Sequence, residues 1–130
     1  MTISAEVRAM WAATPDLLPT ELTPHPAVKA LAAAQGMIAD DFDLDNNFAG
    51  WRHTARIVWP NTARALRLEA SPPFDHLVIY SPISQPSLLC VEPVSNTADF
   101  LNLQHGFDNV GGTILAPGET LTGSFSWIPE

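Results

Sequence analysis

The sequence predicts an all-β, mainly antiparallel fold with one short helix. Twelve prolines and seven glycines are spread along 130 residues and cut the chain into pieces too short for long helices. Several pieces alternate apolar and polar residues with the period of two that a half-buried strand requires. Only the stretch from Pro26 to Gln35 carries helix start and stop signals. Hydrophobic residues make up 46% of the chain, enough for a core, and the length suits a single domain over residues 1–130.

The elements follow in order. Ile3, Ala5, Val7, Ala9 and Trp11 alternate with mostly polar neighbours, which suits a strand, with a short helix as the alternative. Thr14-Pro15-Asp16 and Leu18-Pro19-Thr20 break that segment. The helix has Pro26 in its first turn, an alanine-rich body and Gly36 as its stop. Ala55 to Trp59 reads as a strand, and Pro60-Asn61-Thr62 as a turn. Leu66, Leu68 and Ala70 alternate with Arg67 and Glu69, giving a strand with one wet face. His76 to Tyr80 and Leu88 to Glu92 are two further strands around a Ser81-Pro82 loop. After the Pro117-Gly118 turn, Leu121, Gly123, Phe125 and Trp127 face one way and the intervening Thr and Ser residues the other.

Charge narrows the partners. Six Lys and Arg against fourteen Asp and Glu give a formal net charge of −8. No basic footprint can be assembled for nucleic acid, and anionic membrane surfaces are disfavoured for the same reason. The acidity itself reads first as solubility. The longest apolar runs, Leu77 to Tyr80 and Leu88 to Val91, are far too short to span a bilayer. Met1 to Arg8 has no basic segment followed by an apolar one, and Cys90 is the one cysteine, so a soluble cytoplasmic protein is expected.

Several tempting motifs fail. Asp41-x-Asp43-x-Asp45 opens like a calcium loop, but Asn46 stands where glycine is needed and Arg52 where the closing glutamate belongs. No Gly-Lys-Ser/Thr follows Gly111-Gly112, so it is no phosphate loop. His25, His53, His76 and His105 are scattered without zinc spacing, and no Gly-x-Ser-x-Gly elbow occurs.

Two segments remain. In Leu89-Cys90-Val91-Glu92-Pro93-Val94-Ser95-Asn96, Glu92 ends a strongly apolar strand just before a proline expected to stop the ladder. A carboxylate there is either hydrogen-bonded structurally or open to a pocket with its pKa raised. In Leu44-Asp45-Asn46-Asn47-Phe48-Ala49-Gly50-Trp51, a carboxylate and two amides precede two aromatics. That combination suits a sugar, with polar groups for hydroxyls and a flat ring for C–H faces. The plainer alternative is an Asx-rich turn with Trp51 in the core.

These segments resemble the aldose 1-epimerase, or galactose mutarotase, family. Cys90 to Ser95 is similar to that family's strand bearing the catalytic glutamate, and Leu44 to Trp51 to its sugar-contacting aspartate segment. Leu18-Pro19-Thr20, His76 to Pro82 and Leu115 to Thr120 match in the same order, so the resemblance covers roughly residues 14–128. It extends to the C-terminal half of such an enzyme, about half of its large sandwich. The family's general-acid histidine, a companion histidine and a sugar-binding arginine would fall before Met1.

The resemblance implies interconversion of the α and β anomers of a free aldose, a hexose such as galactose or glucose. Glu92 would be the catalytic base, with Asp45, Asn47 and Trp51 binding substrate. No cofactor and no metal is implied. Uncovered edges and apolar faces in half a sandwich imply a homo-oligomer, or a partner chain supplying the missing half. A non-catalytic carbohydrate-binding module and a truncated fragment are the alternatives. His53, His76 or His105 could replace the missing acid. A phosphorylated sugar is less expected, because only Arg52 and Arg56 lie close together in sequence.

Overall fold

Alternation along the chain resolves into ten short strands, among the described residues, arranged as two antiparallel five-stranded sheets. The structure is a computed structural model and describes residues 1–103 and 110–130. The strands are β1 (Thr2–Ala5), β2 (Ala9–Ala13), β3 (Pro19–Thr23), β4 (Met37–Ile38), β5 (Leu44–Ala49), β6 (Thr54–Val58), β7 (Ala65–Ala70), β8 (His76–Ser81), β9 (Cys90–Val94) and β10 (Phe125–Pro129). Two helices, α1 (Pro26–Ala32) and the single turn α2 (Phe100–Leu103), complete the set with a 3-10 turn at Ala39–Asp41. The first sheet runs β10-β7-β6-β1-β4 and the second β3-β2-β5-β8-β9. The expected all-β sandwich is what forms, and no helix among the described residues is long and apolar enough to cross a membrane.

The core lies between the sheets. Ile3, Met37, Ala55, Ile57 and Leu68 enter it from the first sheet, and Met10, Leu44, Phe48, Leu77, Ile79 and Val91 from the second. Helix α1 lies against β1 and β4 and adds Ala27 and Leu31. His25 caps it, its Nδ1 accepting from the Ala27 amide at 3.2 Å. The helix stops at Ala32, short of the expected Gln35, because Ala33 is already extended. Gly36 then turns the chain with φ of +73°, where an added Cβ would stand 2.8 Å from the Ile3 carbonyl oxygen.

Four expectations are corrected. The alternation from Ile3 to Trp11 is two strands in different sheets. The chain crosses the sandwich at Glu6–Arg8, held by Arg8 N–H to Ala49 O and Arg52 N–H to Glu6 O, with Val7 still buried. Period two survives such a crossing, so it hides the break. The strand expected at Leu88–Glu92 lies at Cys90–Val94, and Pro93 does not stop the ladder but pairs with Leu77. β9 is an edge strand, where a missing N–H costs nothing. Leu44–Ala49 is a strand rather than an Asx-rich turn. In the C-terminal run only Phe125–Pro129 pairs, with β7, and it does so as the outermost strand of the first sheet. Leu121, Phe125 and Trp127 therefore stay 43%, 53% and 40% exposed.

Candidate functional site

The second sheet has one face in the core and one facing outward. Leu44, Phe48, Leu77, Ile79 and Val91 take the inner face, so residues of the opposite parity point out. In the ladder Asp45 stands opposite Tyr80, and Tyr80 opposite Cys90; Asn47 stands opposite Val78, and Val78 opposite Glu92. Asp45, Asn47 and Glu92 thus share the outward face. Asn47 and Glu92 are two strand spacings apart, roughly 10 Å between backbones.

A cleft of about 590 Å³ opens on this face. Its walls include Trp11 and Pro19 from β2 and β3, Asp45 to Asn47 from β5, Phe74, Val78, and the stretch from Pro93 to Ala98. That last stretch is fixed by a short ribbon. Thr97 N–H donates to Val110 O and Gly112 N–H to Ser95 O, both at 2.8 Å, while Asn96 bridges to Gly111. Gly111, with φ of +68°, lies so close over the sheet that a Cβ would fall 2.8 Å from His76 Cε1. Beneath the ribbon Trp11, Ala49 and Val110 form a second apolar cluster with Leu22, Phe100 and Leu103 around them. The cleft walls thus mix apolar side chains with a carboxylate, amides and hydroxyls, a composition that suits a small-molecule site.

Its polar groups are specific. Asn47 Nδ2 donates to the Asn96 carbonyl at 3.1 Å, and Asn46 Nδ2 to the Trp11 carbonyl at 2.9 Å. Asn47 Oδ1 and Thr97 Oγ1 are buried and lack a partner among the described residues. Asp45 is exposed and its carboxylate is free of ion pairs among the described residues. Glu92 is exposed beside the cleft, its chain neighbours Pro93 and Val94 lining it. Glu92 itself is not among the cleft-lining residues, so its position matches neither the structurally hydrogen-bonded nor the pocket reading.

Asp45 and Asn47 come together as the sequence suggests, and Trp51 does not join them. Trp51 is 2% exposed, packed in the main core, with its indole N–H donating to Thr54 O at 2.9 Å. Its ring has no open face to stack on a sugar. Trp11 is the tryptophan of the cleft wall, missed because the sheet crossing before it conceals which way it points. Ser95 to Thr97 were missed too. Their one signal was position, directly after the glutamate strand.

Among the described residues the histidines stand apart from the cleft walls. His76 is buried on the outward face, Nδ1 2.7 Å from Asp75 Oδ1, opposite Val94 and so one diagonal step from Glu92. His53 has a left-handed φ of 63° and lies against Trp51, ring centroids 6.1 Å apart. His105 lies outside the described residues. Among the described residues no three His, Cys, Asp or Glu side chains gather as metal ligands would.

Comparison with known proteins gives this site a context. Residues 3–127 match the family model described as aldose 1-epimerase. Over 91 residues the chain is 33% identical to the uncharacterized protein YphB of Escherichia coli (strain K12), covering 64% of this chain and 30% of that protein. Structurally, 99% of the chain superposes on 45% of a crystal structure from Escherichia coli K12, provisionally assigned as an aldose 1-epimerase, with TM-score 0.73 and 27% identity. The chain thus corresponds to less than half the length of the relatives it matches. With its sandwich and a family match over nearly its whole length, the chain belongs to the aldose 1-epimerase family.

Proposed function

We propose that the chain binds a free aldose, a hexose such as galactose or glucose, in the cleft and interconverts its α and β anomers by general acid–base chemistry. The observation that carries this reading is the shared outward face of Asp45, Asn47 and Glu92 beside one cleft. Glu92 takes the proton of the C1 hydroxyl while an acid protonates the ring oxygen. The C1–ring oxygen bond then breaks, leaving an open-chain aldehyde. Rotation about C1–C2 and the reverse transfers close the ring on the other face. Asp45 and Asn47 hold sugar hydroxyls meanwhile. An exposed carboxylate at the cleft edge can accept and return a proton without the cost of burying its charge.

A second reading, a non-catalytic carbohydrate-binding module, is favoured by one observation: among the described residues no histidine lines the cleft. Anomer exchange of freshly dissolved glucose and galactose, followed by NMR, separates the two. Catalysis by the chain requires exchange well above buffer and a fall of about 10²- to 10⁴-fold in Glu92→Gln. Sugar binding with no exchange in the parent rejects the catalytic reading and leaves the module. In either case the exposed apolar residues near β10 favour a second copy or a partner chain that covers them. A cytoplasmic location belongs to the same reading.

A further inference from the structure

Folding brings together two arginines that lie far apart in the chain. The sheet crossing at Glu6–Arg8 runs alongside the turn after β5, with Arg8 N–H donating to Ala49 O at 2.9 Å and Arg52 N–H to Glu6 O at 3.0 Å. Between those two bonds stands Gly50, with φ of +69°. A Cβ on Gly50 would fall 2.9 Å from Arg8 Cβ and 3.8 Å from Arg8 Nε, so the Arg8 side chain runs across the space that glycine leaves open. From Gly50 to Arg52 is two residues, at most about 7 Å of extended chain, so both guanidinium groups can reach one small ligand. Both arginines line a groove of about 710 Å³, with His53 and the buried Trp51 also on its walls, and it shares no lining residue with the cleft described above. Its charge runs against that of the whole chain, which carries −8. Arg56 and Arg67 are taken up by Glu130 and Glu69. Arg8 has no ion-pair partner among the described residues, and Arg52 has only Glu6, at 3.6 Å with side chains 76% and 72% exposed. So exposed a pair is weak and readily exchanged for another anion.

We infer that this groove binds a phosphate-type oxyanion, inorganic phosphate or the phosphate of a small phosphomonoester, clamped between Arg8 and Arg52. The inference stands apart from the sugar reading of the cleft and does not depend on it. A guanidinium presents its N–H donors as a planar fork that matches two phosphate oxygens, and two forks hold one phosphate from two sides. A phosphate near neutral pH carries between one and two negative charges, so it competes with the single charge of Glu6 for Arg52. His53 adds a ring nitrogen on the same wall, its ring lying against Trp51 with centroids 6.1 Å apart. The net charge of −8 repels anions at long range, so one that stays is held by this local pair.

The test is NMR titration at low salt with inorganic phosphate, glycerol phosphate and acetate, for the parent chain, Arg8→Gln, Arg52→Gln, Glu6→Gln and Arg64→Gln. Arg64 is exposed, outside the groove and without an ion-pair partner among the described residues, so its variant removes the same charge elsewhere. Should Arg52→Gln fail to fold, Arg52→Lys takes its place, keeping the charge and losing the fork. The expected result is that phosphate moves the amide signals of Gly50, Arg52 and His53. Binding should be about tenfold weaker in Arg8→Gln and in Arg52→Gln, tighter in Glu6→Gln and parental in Arg64→Gln. Glycerol phosphate binding more tightly than phosphate supports an esterified ligand, and equal binding supports free phosphate. Acetate binding as tightly as phosphate overturns the inference. Parental binding in both arginine variants overturns it, as does an equal loss in Arg64→Gln, which would leave only the effect of net charge. A parent chain that phosphate does not perturb overturns it outright.

Discussion

Asp45 and Trp51 sit six residues apart in one polar-then-aromatic motif, yet the fold gives them opposite work. Asp45 is exposed in the cleft and holds no part of the structure; Trp51 fills the core. Asp45→Ala should therefore weaken sugar binding by about tenfold, as loss of charge-assisted hydrogen bonds does, while changing stability by no more than about 0.5 kcal/mol. Trp51→Ala should do the reverse, lowering stability by about 3–5 kcal/mol and leaving the affinity of the folded fraction unchanged. Urea denaturation paired with sugar titration reads both; a Trp51→Ala chain of parental stability would remove Trp51 from the core. Asp45 drew attention in the sequence as a carboxylate followed by two amides ahead of two aromatics, and Glu92 as a carboxylate ending an apolar strand. Thr97 was not legible. It is buried with a hydroxyl that has no partner among the described residues, a property of packing that residue type does not encode.

At the scale of elements, β5 shows how a strand escapes sequence reading. Asp45-Asn46-Asn47 has poor strand propensity, and only Leu44 and Phe48 supply the apolar beat. Pairing with β8 along six residues and with β2 on the other side overrides that local preference. The two-residue β4 was invisible for a different reason: it is too short to show any period. β10 shows the converse, a clean alternation that is only loosely held. Its far end is fastened by Glu130, whose carboxylate accepts from Arg56 Nε at 2.6 Å and Arg67 Nε at 2.9 Å, with Arg67 also paired to Glu69. Those hydrogen bonds, Arg56 first and then Arg67, hold the Glu130 carboxyl below the usual carboxylate range. A carboxyl depressed by folding stabilises the docked strand above its unfolded pKa, about 4.3, and the contribution is lost as pH falls through the lower folded value. Amide exchange in residues 125–128 should thus rise below about pH 4 relative to β7. Glu130→Gln should show the same raised exchange already at neutral pH. Equal protection of β10 in parent and Glu130→Gln would show that backbone pairing alone holds it.

At the scale of the whole molecule, the sandwich closes well on one flank and stays open on the other. Helix α1 covers the β1–β4 side, whereas β10 lies at the opposite edge of the first sheet with its apolar residues in solvent. Phe125 meets Phe74 edge to face at 6.3 Å, and beyond it Trp127, Leu121, Leu115 and Ile114 are uncovered. Alternation in the sequence announced a strand here but not whether anything would lie opposite it, since burial depends on the partner layer. Exposed apolar side chains on an edge strand favour association, and a net charge of −8 opposes it. The balance between them sets a testable dependence on salt. Charges repelling across an interface are screened as the Debye length shrinks from about 30 Å at 0.01 M salt to about 8 Å at 0.15 M, while apolar burial is little affected. Light scattering behind size exclusion should show mainly monomer at low concentration and low salt. Larger species should grow in as either rises. Replacing Phe125 and Trp127 together by serine should suppress them at every salt concentration, because the burial that drives association is removed. A parent chain that stays monomeric throughout would refute the association. Association undiminished by the double substitution would move the interface away from β10.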